Sequence, residues 1–339
     1  MKTGMPMKKG CIMRKLSESH RYWQRAEACL AGGPATLSKA PSRFPEGVSP
    51  LVLVRGNGHY VWDADDNRYI DTVAALGPII LGHSDPAVTH AVQEQAARAS
   101  SLTLMHPLEI EVAELLQPLT PWGTDARLRF GKNGMDATNA AVRLARFHTG
   151  GQHVMVSGYH GGTDWYMAST DKAGGILPLV AEYTHQVPFD DTEAFDAVLD
   201  VIRHNCAGMI LEVPPRPWGE SLHAAANYLA YVCHAIHEAG GLFILDEIVT
   251  GFRYPFAWKL YDFEPDLLCM GKGLANGYPL SALAGPEDLM QGFDGGEVFW
   301  STTFGGETGS LAAAKACLKQ LENGGQLRIQ RYGNAFGTN

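Results

Sequence analysis

The stretch GLFILDEIVTGFRYPFAWKLYDFEPDLLCMGK, residues 241–272, contains two apolar runs that each end on one charged residue. Asp246 follows residues 242–245 and Lys272 follows residues 267–271. Runs of this length, apolar on both faces, are what a strand inside a helix-covered parallel sheet requires. Ligands of such sheets lie beyond the carboxyl ends of the strands, so a carboxylate at one end and an amine at another can hold opposite ends of one small molecule.

Working outward, the same alternation recurs. Short apolar runs at residues 126–130, 153–157 and 208–213 predict further strands, separated by helical patterns such as Leu229, Val232, Ile236 and Ala239 on one face. Ser84, Asp85 and Pro86 read as the start of a helix continuing through Val88, Ala91 and Val92, and a second helix is expected at residues 108–117. Earlier, residues 51–71 read as a β-meander with turns at 56–58 and 64–67, preceded by a helix at 17–30. The expected fold is therefore α/β: a mostly parallel sheet flanked by helices, behind an N-terminal meander. The domain bounds expected are 1–80 for arm and meander, 81–320 for the large α/β domain and 321–339 for the start of a further, incomplete C-terminal domain.

Composition narrows the function classes. The 339 residues are 45% hydrophobic and 19% charged, and no apolar run approaches the roughly 20 residues that span a bilayer. The N-terminal residues, with Met5, Met7 and Met13 as possible starts, are basic without an apolar segment behind them, so a cytoplasmic protein is expected. A net charge of −9 without a basic stripe argues against nucleic acid and toward small molecules. The six cysteines include no Cys-x-x-Cys pair, so neither a zinc site nor a disulfide framework is indicated.

The strand-end rule selects the candidates. Gly131-Lys132-Asn133-Gly134-Met135-Asp136 lies between a strand and a helix, where free N–H groups and the positive helix end suit a phosphate, or where Gly134 merely makes the turn. Tyr159-His160-Gly161-Gly162 follows the next strand and could stack on a flat heterocycle, or simply close the core. Glu212 ends another strand. Asp246 needs a partner if buried, either a protonated ring nitrogen or a structural group. Lys272 between two glycines could form a Schiff base, or lie in solvent.

Taken together, YVWDADDNRYIDTVAALGPIILGHSDPAV, GKNGMDATNAAVRLAR, YHGGTDWY, LDEIVTGFR, PDLLCMGKGLANGYPLSALAG and STTFGGETGSLAAAKA occur in an order that closely resembles the class III, fold-type I pyridoxal-phosphate aminotransferases. The resemblance is to the branch holding glutamate-1-semialdehyde aminomutases and sugar-cluster enzymes. It implies pyridoxal 5′-phosphate as cofactor, with Lys272 as the Schiff-base lysine and proton carrier, and Asp246 on the ring nitrogen. It implies Ile248 and Tyr159 on opposite ring faces, with His160 in the same motif. Gly134 and Met135 would bind phosphate through backbone N–H groups, and Thr303 through its hydroxyl, from the neighbouring subunit of a homodimer. The implied partners are a small-molecule amino donor and a carbonyl acceptor: an oxo-acid, semialdehyde or keto-sugar.

Several segments depart from that pattern. Met135 and Asp136 stand where threonine and glutamate are usual, and SRFPEGVSP leaves Arg43 as a weak carboxylate-binding candidate beside Glu212. VPPRPWG, residues 213–219, also differs. The resemblance implies a further C-terminal domain beyond these 339 residues, and without it Ile329, Tyr332 and Phe336 are expected to present an uncovered apolar face. Three functions follow as alternatives: an aminotransferase, an intramolecular aminomutase, and a truncated non-catalytic homologue; poor solubility or inactivity of the chain alone is expected.

Overall fold

The computed structural model describes residues 14–213 and 221–337. The chain divides into two compact units, Met1–Ala74 with Gly82–Asp85, and Ala75–Leu81 with Pro86–Asn339. The possible starts at Met5, Met7 and Met13 lie outside the described residues, as do residues 214–219 of the divergent VPPRPWG segment.

The smaller unit holds the helix Ser17–Cys29 and the expected meander, an antiparallel sheet of β1 (Leu53–Asn57), β2 (Tyr60–Asp63) and β3 (Arg68–Ile70). Pairing continues to Asn57 opposite Tyr60, so the first turn is tighter than the sequence suggests, with Gly58 at φ +55°. The second turn is held by buried Asp63, whose carboxylate accepts the N–H groups of Asp65 and Asn67 and the Tyr69 hydroxyl. Asp65 in turn accepts the N–H groups of Glu18 and Ser19 and so caps the first helix.

The larger unit is built on seven strands: β4 (Ala126–Gly131), β5 (His153–Ser157), β6 (Thr184–Gln186), β7 (Cys206–Glu212), β8 (Leu242–Asp246), β9 (Leu267–Met270) and β10 (Ser281–Pro286). Their order is β4-β10-β9-β8-β7-β5-β6. All neighbours are parallel except β10, which runs antiparallel to both β4 and β9. The sheet is thus mostly parallel and mixed. Two of its strands, β6 and β10, are not expected from the sequence reading. β6 has only three residues, and β10 is composed of Ser281-Ala282-Leu283-Ala284-Gly285-Pro286, which carries little β-branched or aromatic signal.

Period-two alternation divides the strands between two cores. Met155, Leu211, Phe243, Leu245 and Leu268 enter one cluster, while Val156, Ile210, Ile244, Leu267 and Cys269 enter the other. The helix Gly134–Thr149 covers the second face with Ala137, Ala141, Leu144 and Ala145. On the first face lie the helices Pro86–Ala96, Pro107–Leu116, Thr192–Ile202, Ser221–Glu238 and Thr308–Gln320. Small residues on Gly134–Thr149 bring that helix close to the strand ends, which puts its N-terminus at their edge.

Among the described residues no helix is long and apolar enough to cross a membrane. The final helix Gln326–Gly337 places Ile329, expected to be uncovered, partly buried against the first cluster. The side chains of Tyr332 and Phe336 lie outside the described residues.

Leu245 is fully buried in the first cluster. Leu245→Ala should lower the unfolding free energy by about 2–5 kcal/mol, measured from the urea midpoint, by removing apolar burial and leaving a cavity.

Candidate active site

Strand register brings the candidates together. Ser157 pairs with Leu211, Glu212 with Asp246, and Asp246 with Cys269, so β5, β7, β8 and β9 end side by side. The segments that follow, 158–162 and 271–273, continue from this common edge, and adjacent strands are about 4.8 Å apart. Residues 86 positions apart in sequence, His160 and Asp246, thereby meet.

Asp246 is buried, and its partner is His160, the residue sequence reasoning left without a definite role. His160 Nδ1 lies 2.9 Å from Asp246 Oδ2, with both side chains almost fully enclosed. Its Nε2 lies 3.2 Å from the Ser157 carbonyl. A carboxylate accepts and does not donate, so in the contact with Asp246 the imidazole Nδ1–H is the donor. The other oxygen, Oδ1, accepts the N–H of Ile248 at 3.0 Å. Thr138 steadies the histidine from beneath by donating to its carbonyl at 2.8 Å.

Lys272 follows β9 at φ +41°, in the left-handed region a side chain with Cβ rarely adopts, which costs about 1 kcal/mol or more. Burial pulls its pKa below the usual lysine value; Glu212 and Asp246 oppose this, and Arg253 adds to it. Glu212 shifts the other way, raised by burial and then by Asp246, while its carboxylate accepts the N–H of Tyr159 at 3.2 Å. These electrostatic couplings join Lys272, Glu212, Asp246 and Arg253 into one cluster.

Beside it stands the N-terminus of Gly134–Thr149. Asp136 Oδ2 accepts the N–H groups of Lys132 and Asn133, each at 2.8 Å, which leaves those of Gly134 and Met135 without a partner among the described residues. Lys132 is itself held by Glu307 at 3.0 Å. A Cβ on Gly134 would fall 2.7 Å from Ile248 Cδ1, so only glycine lets this turn approach Ile248. Gly161 closes on Met135 in the same way, its Cβ position 2.5 Å from that of Met135. Tyr159 is 62% exposed, its ring free to cover a ligand. Thr303 is exposed in the loop before Thr308–Gln320, and Arg43 is exposed at the end of the turn Pro41–Arg43 in the smaller unit.

Residues 44–338 match the family model of the class-III aminotransferases. The chain belongs to that family. Among solved structures it is similar to the FumI protein of Sphingopyxis sp. MTA144, described in its PLP internal aldimine form: 27% identity over 90% of this chain and 73% of that one, TM-score 0.79. It is also similar to a β-phenylalanine aminotransferase from Variovorax paradoxus, with 25% identity over 88% of this chain and 68% of that one, TM-score 0.74. An omega-transaminase from Sphaerobacter thermophilus, 24% identical over 89% of this chain and 72% of that one, shares the fold at TM-score 0.80.

The residues present fit pyridoxal 5′-phosphate. Two unspent backbone N–H groups at a helix N-terminus suit its phosphate, and a buried carboxylate suits a protonated ring nitrogen. An exposed tyrosine and half-buried Ile248 offer apolar surfaces for the ring, and an amine with lowered pKa suits its carbonyl. In this class-III aminotransferase the His160 partnership of Asp246 is legible only through the sheet register. The one signal in the sequence was that a buried carboxylate must have a partner.

Glu247 is a buried acid that the sequence reading passed over. Burial pushes its pKa up to about 7, against hydrogen bonds from Thr250 and the Ala257 N–H. Folding therefore favours the protonated form. That contribution is complete below the ordinary glutamate pKa of 4.5, declines as pH rises, and is lost once pH passes about 7. Relative to Glu247→Gln, which cannot ionise, the wild-type chain should lose on the order of 3 kcal/mol of unfolding free energy across this window, measured by urea titration at successive pH values.

Proposed function

We propose that this chain is a pyridoxal-phosphate-dependent aminotransferase that moves an amino group from an amino acid donor to an oxo-acid, semialdehyde or keto-sugar. The observation that carries the reading is the buried pair of His160, which follows β5, and Asp246, which ends β8 beside the strand that delivers Lys272. Family membership and the solved structures described with this cofactor support it.

Bound in the cluster, pyridoxal 5′-phosphate supplies a carbonyl carbon for amines and a conjugated ring that accepts an electron pair. The chain's own groups do the rest. Gly134 and Met135 hold the phosphate by their N–H groups, and the positive helix end favours its charge. Asp246, kept in place by His160 and Ile248, holds a proton on the ring nitrogen, which makes the ring a stronger electron sink. Tyr159 and Ile248 would offer the ring an aromatic and an aliphatic surface. Lys272, with its pKa lowered by burial, has more of its amine in the neutral form at neutral pH than a solvent lysine does. Its Nζ would be the base that takes the proton from the donor Cα and the acid that returns one to the acceptor.

A homodimer is part of this reading. Leu104, Met105, Phe299 and Phe304 are largely exposed apolar residues of the larger unit, and a second subunit would cover them. Thr303, beside Phe304, would then add its hydroxyl to the neighbouring phosphate.

Purified chain supplied with pyridoxal 5′-phosphate should show a visible absorbance band that borohydride bleaches, and Lys272→Ala should abolish that band and lower turnover at least a thousandfold (~4 kcal/mol). Conversion should require an external amino donor. Absence of the band in wild-type chain overturns the reading, and conversion without a donor indicates intramolecular exchange instead.

A further inference from the structure

Three segments of the larger unit close on one another beside Lys272. Residues 77–81 run between the turn after β8 and the turn after β9. At one end the Arg253 guanidinium donates to the Gly77 carbonyl. At the other, Asn276 Oδ1 accepts the N–H groups of Ile80 and Leu81, both at 2.9 Å. Between them sits Gly273, where a Cβ would lie 3.1 Å from Ile80 Cδ1 and 3.4 Å from the Gly251 carbonyl oxygen. Arg253 and Lys272 are thus presented from neighbouring, mutually packed turns.

The backbone here is held in costly conformations. Ala75 at φ +57°, Leu76 at +72°, Phe252 at +69° and Lys272 at +41° all occupy the left-handed region. Strain of this kind persists where packing over-determines it, and it clusters at ligand-binding sites. Phe252 shows how it is held: its ring is buried, edge-on to Phe256 at 5.3 Å. With that ring anchored, the next residue, Arg253, is directed toward Gly77.

Arg253 is half-buried, and among the described residues it has no carboxylate within 4.0 Å; its hydrogen-bond acceptor is the single carbonyl of Gly77. A guanidinium has five N–H donors in a planar fork that matches a carboxylate. A partly desolvated cation with most of that capacity unspent is costly unless an anion arrives. Amino acids and oxo-acids both bring one.

We propose that Arg253 receives the carboxylate of the substrate and makes this chain select carboxylate-bearing donors over plain amines. The inference rests on the aminotransferase reading and assigns to Arg253 a role that the sequence had offered to Arg43.

The test is the single-turnover decay of the visible cofactor band in cofactor-loaded chain. The amines are L-alanine, β-alanine and 4-aminobutyrate, against their decarboxylated counterparts ethylamine and propylamine. Wild-type chain should prefer at least one of the three acids. Arg253→Gln should lose roughly 10- to 100-fold in kcat/KM for that acid, chiefly through KM, and change little toward the plain amines, as expected for one charged hydrogen-bonding group. Arg253→Lys should recover part of the loss, and Arg43→Gln should leave the preference unchanged. The inference is overturned if wild-type chain shows no preference for an acid, or if Arg253→Gln lowers acids and amines equally. Loss of the cofactor band in Arg253→Gln overturns it too, because the residue is then structural. Absence of the band in wild-type chain is a different failure, that of the aminotransferase reading itself.

Discussion

A carboxylate carried into the interior at the end of a strand has to be compensated, and much of this site is arranged around that requirement. Asp246 is compensated by His160 at one oxygen and the Ile248 N–H at the other. The contact exists because β5, β7 and β8 are parallel and in register, so that the segment after Ser157 emerges beside the end of β8. Were one strand reversed or slipped by a residue, every side chain on it would change face, and the buried charge would be left alone.

The same constraint explains the neighbourhood. Burial that makes Asp246 costly also pushes Glu212 and Glu247 toward their neutral forms and draws Lys272 toward its neutral amine. The cluster therefore need not carry the full negative charge that counting its carboxylates would suggest. Groups whose pKa values are pushed toward one another across neutral pH are those that exchange protons with least cost. Backbone strain at Lys272 and Phe252 belongs to the same account, since the packed turns that impose it also aim the amine and the guanidinium.

The phosphate side is organised by a different economy, that of N–H groups at a helix end. Asp136 takes the two N–H groups that precede the helix and leaves those of Gly134 and Met135. Lys132, drawn to Glu307, ties this turn to the start of Thr308–Gln320, where Glu307 also accepts the N–H groups of Gly309 and Ser310. Side-chain donors replaced in this chain, such as the position occupied by Met135, are thus not needed to build an anion site.

How much of this was open to reading follows from the range of each interaction. Strand and helix periodicity is local, so the central strands, the meander and the phosphate turn were legible from residue pattern, and the charged residues at strand ends followed from the general rule for parallel sheets. β6 and β10 were not legible, because three residues in one case and an alanine-rich run in the other carry too little local preference. By itself the sequence determined the α/β class, the resemblance to class III aminotransferases, and Asp246 and Lys272 as strand-end charges. Only the tertiary structure decided that His160 is the partner of Asp246, that Glu247 is buried as an acid, and that Arg253 stands beside Lys272 without a carboxylate among the described residues. Those are pairings across 86, 10 and 176 positions of chain, for His160–Asp246, Glu247–Ala257 and Arg253–Gly77. What sets them is sheet register and the desolvation of charge, and neither exists until the strands are side by side.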